Sequence, residues 1–253
     1  MKVNGKIVYP GIVEGEVIKY NGNFSFLGGV DPKKGILKDD GRYIGGKIFI
    51  FDSSSGSTVG SYIIYGLRYH GHSPLAIVCN LADETLVTGS VMAQIPTLSN
   101  VDTDIFIDGD KIKINNDLIE INLEPVEVVT SILYHNGKIL ILKRSDKVST
   151  YKGKWAGVSG YKEDLDPEHA AKREIIEETG IVNPRLIRTG GHMFLRDGKR
   201  LWKIYLFLWE VDNENINIDW EHTEYKWIDA EKIKNFDTVP GLDKAIRRLF
   251  NKI

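Results

Sequence analysis

The sequence predicts two domains, each built from strands and helices, and three observations carry that reading. Glycine and tryptophan divide unevenly: residues 1–124 hold 16 of the 25 glycines and no tryptophan, whereas residues 125–253 hold 9 glycines and all five tryptophans. Charge divides too, with 11 basic and 15 acidic residues before Pro125 and 22 basic and 20 acidic from there on. Both parts interleave β-rich runs with helix signals, and 253 residues suffice for two domains of ordinary size. The expected junction is Ile121-Asn122-Leu123-Glu124-Pro125, which leaves little room for a flexible linker.

In the first part, Lys6–Tyr9, Gly15–Ile18 and Lys47–Phe51 read as strands, β-rich and bounded by Gly, Pro and Asp. A Ser/Gly-rich loop then leads into Ser61–Tyr69, expected as a helix despite its β-branched pair. Leu75–Cys79 is unbroken apolar sequence, the mark of a strand buried on both faces. Thr85–Ala93 is a second helix candidate, and Ile95–Leu98 a further strand.

The second part opens on the strand Val126–Tyr134, and Asn136-Gly137 turns it into Lys138–Leu142 as a two-residue hairpin. Pro167–Thr179 reads as a helix, with Asp166 as N-cap, Pro167 in the first turn and Gly180 as the C-terminal stop. Strands follow at Leu201–Val211 and Glu224–Ile228, and an amphipathic helix runs from Gly241 to Lys252.

Composition excludes several function classes. A formal net charge of -2 lacks the basic excess of a sequence-independent nucleic-acid binder. The lone Cys79 rules out an internal disulfide framework, a Cys-rich zinc site and an iron–sulfur cluster held by this chain's own thiolates. Met1–Lys6 has no apolar leader stretch, and no run approaches the ~20 apolar residues needed to span a bilayer. The expectation is a cytoplasmic protein with no membrane contact.

The clearest chemistry lies in Arg173-Glu174-Ile175-Ile176-Glu177-Glu178-Thr179-Gly180-Ile181. On a helix, Glu174, Glu177 and Glu178 share one face, and three like charges so close call for a cation. All-oxygen ligands suit Mg²⁺ or Mn²⁺ bridging to substrate phosphates. A plain solvated acidic face is the competing reading. The surroundings favour chemistry. From Gly160 to Ile181 the chain resembles the signature of Nudix hydrolases, a Gly and a Glu followed by Arg-Glu-x-x-Glu-Glu-x-Gly and an apolar residue. Lys152–Gly160 upstream and Glu224-Tyr225-Lys226-Trp227-Ile228 downstream resemble the flanks of that family. Between Gly160 and Arg173 the spacing is one residue short, and Leu165 stands where the first Glu belongs; Glu163 and Asp164 are the substitutes at hand. The resemblance implies, over 126–253, an α/β/α sandwich with a mixed sheet. It also implies metal binding by Glu174, Glu177 and Glu178, with Glu177 as ligand or base. Arg173 would orient the carboxylates or bind substrate, and the activity would be Mg²⁺-dependent hydrolysis of a diphosphate. Trp155, Phe194, Trp202 and Trp209 suit either a stacked base or the core, and core is preferred.

A second motif is the small-residue loop Ser53-Ser54-Ser55-Gly56-Ser57-Thr58-Val59-Gly60. A loop of this kind entering a helix offers N–H groups and hydroxyls to a phosphate or carboxylate, although composition alone favours a flexible, Ser-rich turn with a helix cap. No neighbouring His or Lys activates Ser57 as a base. Together with Phe24–Pro32 and Glu84–Pro96, the loop resembles the aconitase X swivel domain found in phosphomevalonate dehydratase small subunits. The resemblance covers about 1–122 and implies a swivelling β/β/α barrel-like domain. Ser57 would take the substrate proton, with Gly56 and Thr58 binding substrate; Ser55 stands where that family often has a basic residue. It further implies a separate aconitase-like large subunit carrying the [4Fe–4S] cluster, with 5-phosphomevalonate as substrate and anhydromevalonate phosphate as product. Three function classes follow: a fused dehydratase small subunit and Nudix hydrolase, linked to isoprenoid metabolism by their co-occurrence; a Nudix hydrolase with a non-catalytic swivel domain used for binding or oligomerisation; and a non-catalytic regulatory or scaffold protein.

Overall fold

The computed structural model describes residues 1–250, and the chain divides into two compact units at Glu124/Pro125. The last residues of the expected C-terminal helix, up to Lys252, lie outside the described residues.

The first unit runs β1 (Lys2–Asn4), β2 (Lys6–Tyr9), β3 (Ile12–Lys19), β4 (Asn23–Phe24), a single turn α1 (Phe26–Gly29), and the short pair β5 (Val30–Asp31) and β6 (Ile36–Leu37). It continues with β7 (Ile48–Ser54), α2 (Val59–Tyr69), β8 (Ala76–Leu81), α3 (Glu84–Ala93), β9 (Thr97–Ser99), β10 (Lys111–Asn115) and β11 (Leu118–Ile121). Among the described residues these form a nine-stranded mixed sheet ordered β1-β11-β10-β3-β7-β8-β9-β2, with β4 beside β7. Strands β3, β7, β8 and β9 are mutually parallel, joined by α2 and α3 as crossovers. The two ends of the order, β1 and β2, are consecutive in the chain, with only Gly5 between them.

The unbroken apolar stretches at Ile48–Phe51 and Ala76–Cys79 are buried throughout, as a strand covered on both faces requires. Phe24, Phe26, Phe49 and Phe51 pack as an aromatic group with ring centroids 4.9 to 6.2 Å apart, mostly edge to face. Cys79 sits in this core, where burial pushes its thiol up to about 12. It is inert as a nucleophile or ligand.

The second unit runs β12 (Pro125–His135), β13 (Lys138–Arg144), β14 (Trp155–Ala156), β15 (Val158–Tyr161), α4 (Pro167–Thr179), β16 (Arg185–Asp197), β17 (Arg200–Glu210), β18 (His222–Ile228) and α5 (Leu242–Phe250). The mixed sheet is ordered β14-β13-β12-β17-β16, with β15 on β12 and β18 on β13; β12 and β17 are parallel. Alternation along the strands builds two cores. Leu140, Leu142, Phe207 and Trp209 face Ala170, Ala171 and Ile175 of α4. Ile139, Ile141, Leu206 and Leu208 face Leu242, Ala245, Ile246 and Leu249 of α5. The sheet is therefore sandwiched between two helices.

The local signals behave as their chemistry dictates. Asn136 and Gly137 both take positive φ, 44° and 85°, as a type I′ turn demands. Asp166 Oδ1 accepts the Glu168 amide at 3.0 Å, and Gly180 ends α4 at φ 73°. Several elements escaped the sequence reading, among them β1, β10, β11, β15 and β16. The hairpin β10–β11 alternates buried and exposed residues and was legible in principle. The 13-residue β16 carries few fully buried side chains and a register shift at Gly190-Gly191, so its apolar periodicity is weak. Trp155, Trp202 and Trp209 are buried and Phe194 is half-buried, in keeping with the preference for core.

Candidate functional site

In the second unit the site grows from the contact between α4 and β15. Glycine at 160 lets the helix carboxylate lie against the strand: a Cβ there would stand 2.1 Å from the Glu174 carboxyl carbon. One turn on, Glu178 is almost fully buried, and its Oε1 accepts the Ser159 amide at 3.1 Å. Its other oxygen, Oε2, is buried with no hydrogen-bond partner. Burial, opposed by Arg173 and reinforced by Glu177 and Glu221, pushes Glu174 up to about 7. Burial likewise holds Glu178 well above the ordinary carboxylate range. Two desolvated carboxyls side by side, one with an orphaned oxygen, are poorly placed unless a cation joins them.

Not all of the expected ligands converge. Glu177 is more than half exposed and turned toward Arg173, 3.7 Å away. Among the described residues no three His, Cys, Asp or Glu side chains form a ready cation cage. The three carboxylates of one helix face thus split into an inner pair, Glu174 and Glu178, and an outer one. Repulsion between like charges is reason enough for the spread.

Arg173 fastens the short loop before the helix. Its guanidinium lies 3.1 Å from Glu174, 3.3 Å from Asp164 and 3.9 Å from Glu163, and Nη2 donates to the Tyr161 carbonyl. The two candidate substitutes for the displaced glutamate are therefore held by this arginine, while Leu165 is fully exposed. Four carboxylates, Glu163, Asp164, Glu174 and Glu177, lie within 4 Å of the Arg173 guanidinium.

Three further groups join the site from the turn before β18 and from its first residue. Asp219 Oδ1 accepts from Glu221 N at 3.1 Å and lies 3.0 Å from His222 Nδ1. His222 Nε2 stands 3.6 Å from Glu178 Oε2, and both side chains are buried. Glu221 is half-buried, and burial together with Asp219 raises its carboxyl, with Glu177 adding to the effect. Sequence reasoning began that strand at Glu224 and passed over Asp219-Trp220-Glu221-His222. An acidic and imidazole cluster leading into a strand was the available signal.

In the first unit, β7 extends through Ser54, which shortens the expected loop to Ser55–Thr58. Gly56, Ser57 and Thr58 are all exposed, just beyond the carboxyl ends of the parallel strands β7 and β8. Open α/β sheets commonly bind ligands at that edge. Ser54 Oγ donates to Asp83 Oδ1 and accepts the Asp83 amide, so the base of the loop is pinned to the start of α3. The expected side-chain cap is absent. Thr58 has helical φ and ψ and caps nothing, while the Ser61 hydroxyl donates to its carbonyl at 2.7 Å. The Gly60 amide closes the turn on the Ser57 carbonyl at 2.7 Å. No basic side chain pairs with Ser57 among the described residues.

Comparison with known proteins follows the same division. The aconitase X swivel domain family matches residues 2–122, and the NUDIX domain family matches residues 125–249. The phosphomevalonate dehydratase small subunit of Thermococcus gammatolerans is 41% identical over 128 residues, covering 49% of this chain and 98% of the relative. Among solved structures, Thermococcus kodakaraensis aconitase X in its holo-form is 39% identical, with TM-score 0.47 over 49% of this chain and 99% of that one. The MutT protein of Methanosarcina mazei Go1 is 23% identical, with TM-score 0.44 over 53% of this chain and 97% of that one. Residues 2–122 place the chain in the family of phosphomevalonate dehydratase small subunits, as an aconitase X swivel domain, and residues 125–249 add a Nudix domain to it.

Proposed function

We propose that the chain combines the small subunit of a phosphomevalonate dehydratase-type hydro-lyase with a Mg²⁺-dependent Nudix hydrolase of a diphosphate. The hydrolase reading rests on one observation above all: Glu174 and Glu178 lie desolvated against Gly160 and Ser159, with Oε2 of Glu178 unpartnered. A Nudix domain implies a divalent metal, generally Mg²⁺ or Mn²⁺. The inner pair of carboxylates fits that ion by charge and by donor type. Glu174 and Glu178 would hold it, with Glu177 as a further ligand or as the base. When bound, the ion neutralises these carboxylates and polarises a phosphoryl oxygen. The chain's own contribution is positional. Arg173 gathers Glu174, Glu177 and Asp164, while Ser159 fixes the plane of Glu178. Glu177, exposed on the outer side beside Arg173, would as the base take a proton from attacking water.

For the first unit, likeness to small subunits supports a role beside a separate large subunit. The only cysteine is buried and inert, so a [4Fe–4S] cluster belongs on that partner. Ser57 would receive the substrate proton, with Gly56 and Thr58 contacting the anion. The unactivated Ser57 hydroxyl also favours a second reading, in which the swivel domain only binds or oligomerises. Replacing Ser57 by Ala in the reconstituted two-subunit complex separates the two: full dehydratase activity in the variant means the loop does not take the proton.

Co-occurrence on one chain is the support for a role in isoprenoid metabolism, in which the hydrolase would cleave a prenyl or isopentenyl diphosphate to its monophosphate. Full-length protein with Mg²⁺ should release phosphate from such a diphosphate. Turnover of nucleotides alone refutes the isoprenoid assignment.

A further inference from the structure

The imidazole of His222 is held more tightly than packing requires. Its side chain is buried, and Nδ1 lies 3.0 Å from Asp219 Oδ1. The backbone around it is clamped as well. The His222 amide donates to the Asp219 carbonyl at 3.4 Å, and β18 pairs His222 with Arg144 of β13. The Ser145 amide donates to the Glu221 carbonyl at 2.7 Å, while its hydroxyl donates to the Trp220 carbonyl at 3.0 Å. This fixed ring presents Nε2 at 3.6 Å from Glu178 Oε2. That distance is too long for a hydrogen bond, so the imidazole stands as a wall beside the carboxylate rather than as its bonding partner. The Ser159 amide holds Oε1 on the other side. Between the two, the Glu178 carboxyl has little freedom to rotate, and Oε2 stays inside the site with no other partner.

We propose that His222, anchored by Asp219, is a positioning residue that holds Glu178 in its metal-binding orientation. The inference rests on the reading of Glu178 as a ligand. Outer groups hydrogen-bonded to a metal ligand commonly change affinity by about 10- to 100-fold when removed, and a ring that confines the ligand by contact acts on the same ordering. Removing the ring opens space beside Oε2, so the carboxylate must be re-ordered each time a cation binds.

The test is Mn²⁺ binding by the full-length chain, followed by electron paramagnetic resonance, with far-UV circular dichroism confirming that each variant is folded. His222→Ala should raise the Kd for Mn²⁺ by about tenfold or more, and His222→Gln, which keeps a polar group in the space, should recover part of that loss. Asp219→Asn, which leaves the ring in place but loosens its anchor, should weaken binding less and serves if His222→Ala does not fold. Glu178→Gln is the control. If it weakens Mn²⁺ binding while folded His222 and Asp219 variants bind as the parent does, the positioning role is overturned. If Glu178→Gln also binds as the parent does, the metal-site reading itself fails.

Discussion

Glu127 shows how a single carboxylate can tie three strands of the second sheet and their loops. It lies 3.0 Å from Lys162 Nζ and 2.8 Å from Lys203 Nζ, and Tyr205 donates to it at 2.9 Å. Hydrogen bonds from Lys203, then Lys162 and Tyr205, hold its carboxyl down to about 2. A carboxyl whose folded pKa lies below its unfolded value adds stability above that unfolded value, here near 4.5, and loses it as pH falls toward about 2. Glu127→Gln should therefore cost about 1–2 kcal/mol at neutral pH, scaled down for its partial exposure. The gap should narrow as the solution is acidified from pH 4.5 toward 2, and urea titrations at several pH values check it. A constant gap contradicts the ion-pair account. At the outer carboxylate, Glu177→Gln should lower kcat by about 10²–10⁴-fold if that residue is the base. Steady-state kinetics at saturating Mg²⁺ decide, and an unchanged kcat removes it from the chemistry.

At the scale of elements, the α4–β15 contact is where fold and site meet. Gly160→Ala places a methyl group against the carboxyl end of Glu174, a flexible partner that can swing aside. The expected outcome is a melting temperature close to that of the parent with much weaker Mn²⁺ binding, because the helix stays and its ligand is displaced. Calorimetry alongside Mn²⁺ titration tests the pairing of those two results. At the other end of the helix turn, Asp166→Ala removes the bond to the Glu168 amide and should cost about 1 kcal/mol. Packing is equally tight in the first unit. A Cβ at Gly89 of α3 would meet Ile64 at 2.6 Å and the Ser61 backbone at 3.1 Å, so α2 and α3 approach closely only because that residue is glycine.

For the whole molecule, each unit closes a core of its own, with Phe49, Phe51 and Ile64 in one and with Leu142, Phe207 and Trp209 in the other. Residues 1–124 and 125–253 expressed separately should each fold with a cooperative thermal transition. A half that melts without cooperativity shows that its core is incomplete. A large subunit that carries the cluster should co-purify with the full chain and with the first half, and not with the second. Among the described residues no helix is long and apolar enough to cross a membrane.

The strand and helix pattern was legible because its signals are local: Asn136-Gly137 demands positive φ twice, Asp166-Pro167 opens a helix, and Gly180 ends it. The paired carboxylates were legible for the same reason, since the spacing of Glu174 and Glu178 is a property of any helix. Composition and motif order alone mark the two-part division, the Nudix and swivel resemblances, and the exclusion of a cluster held by a single cysteine. Which carboxylates face inward is set by packing between elements. Burial depends on what packs opposite: Ser159 and Gly160 of the preceding strand, and the Asp219–His222 segment that leads into β18 from far along the chain. Distance along the sequence is also why His222 escaped notice: it lies 44 positions after Glu178, at the start of β18, which pairs with β13.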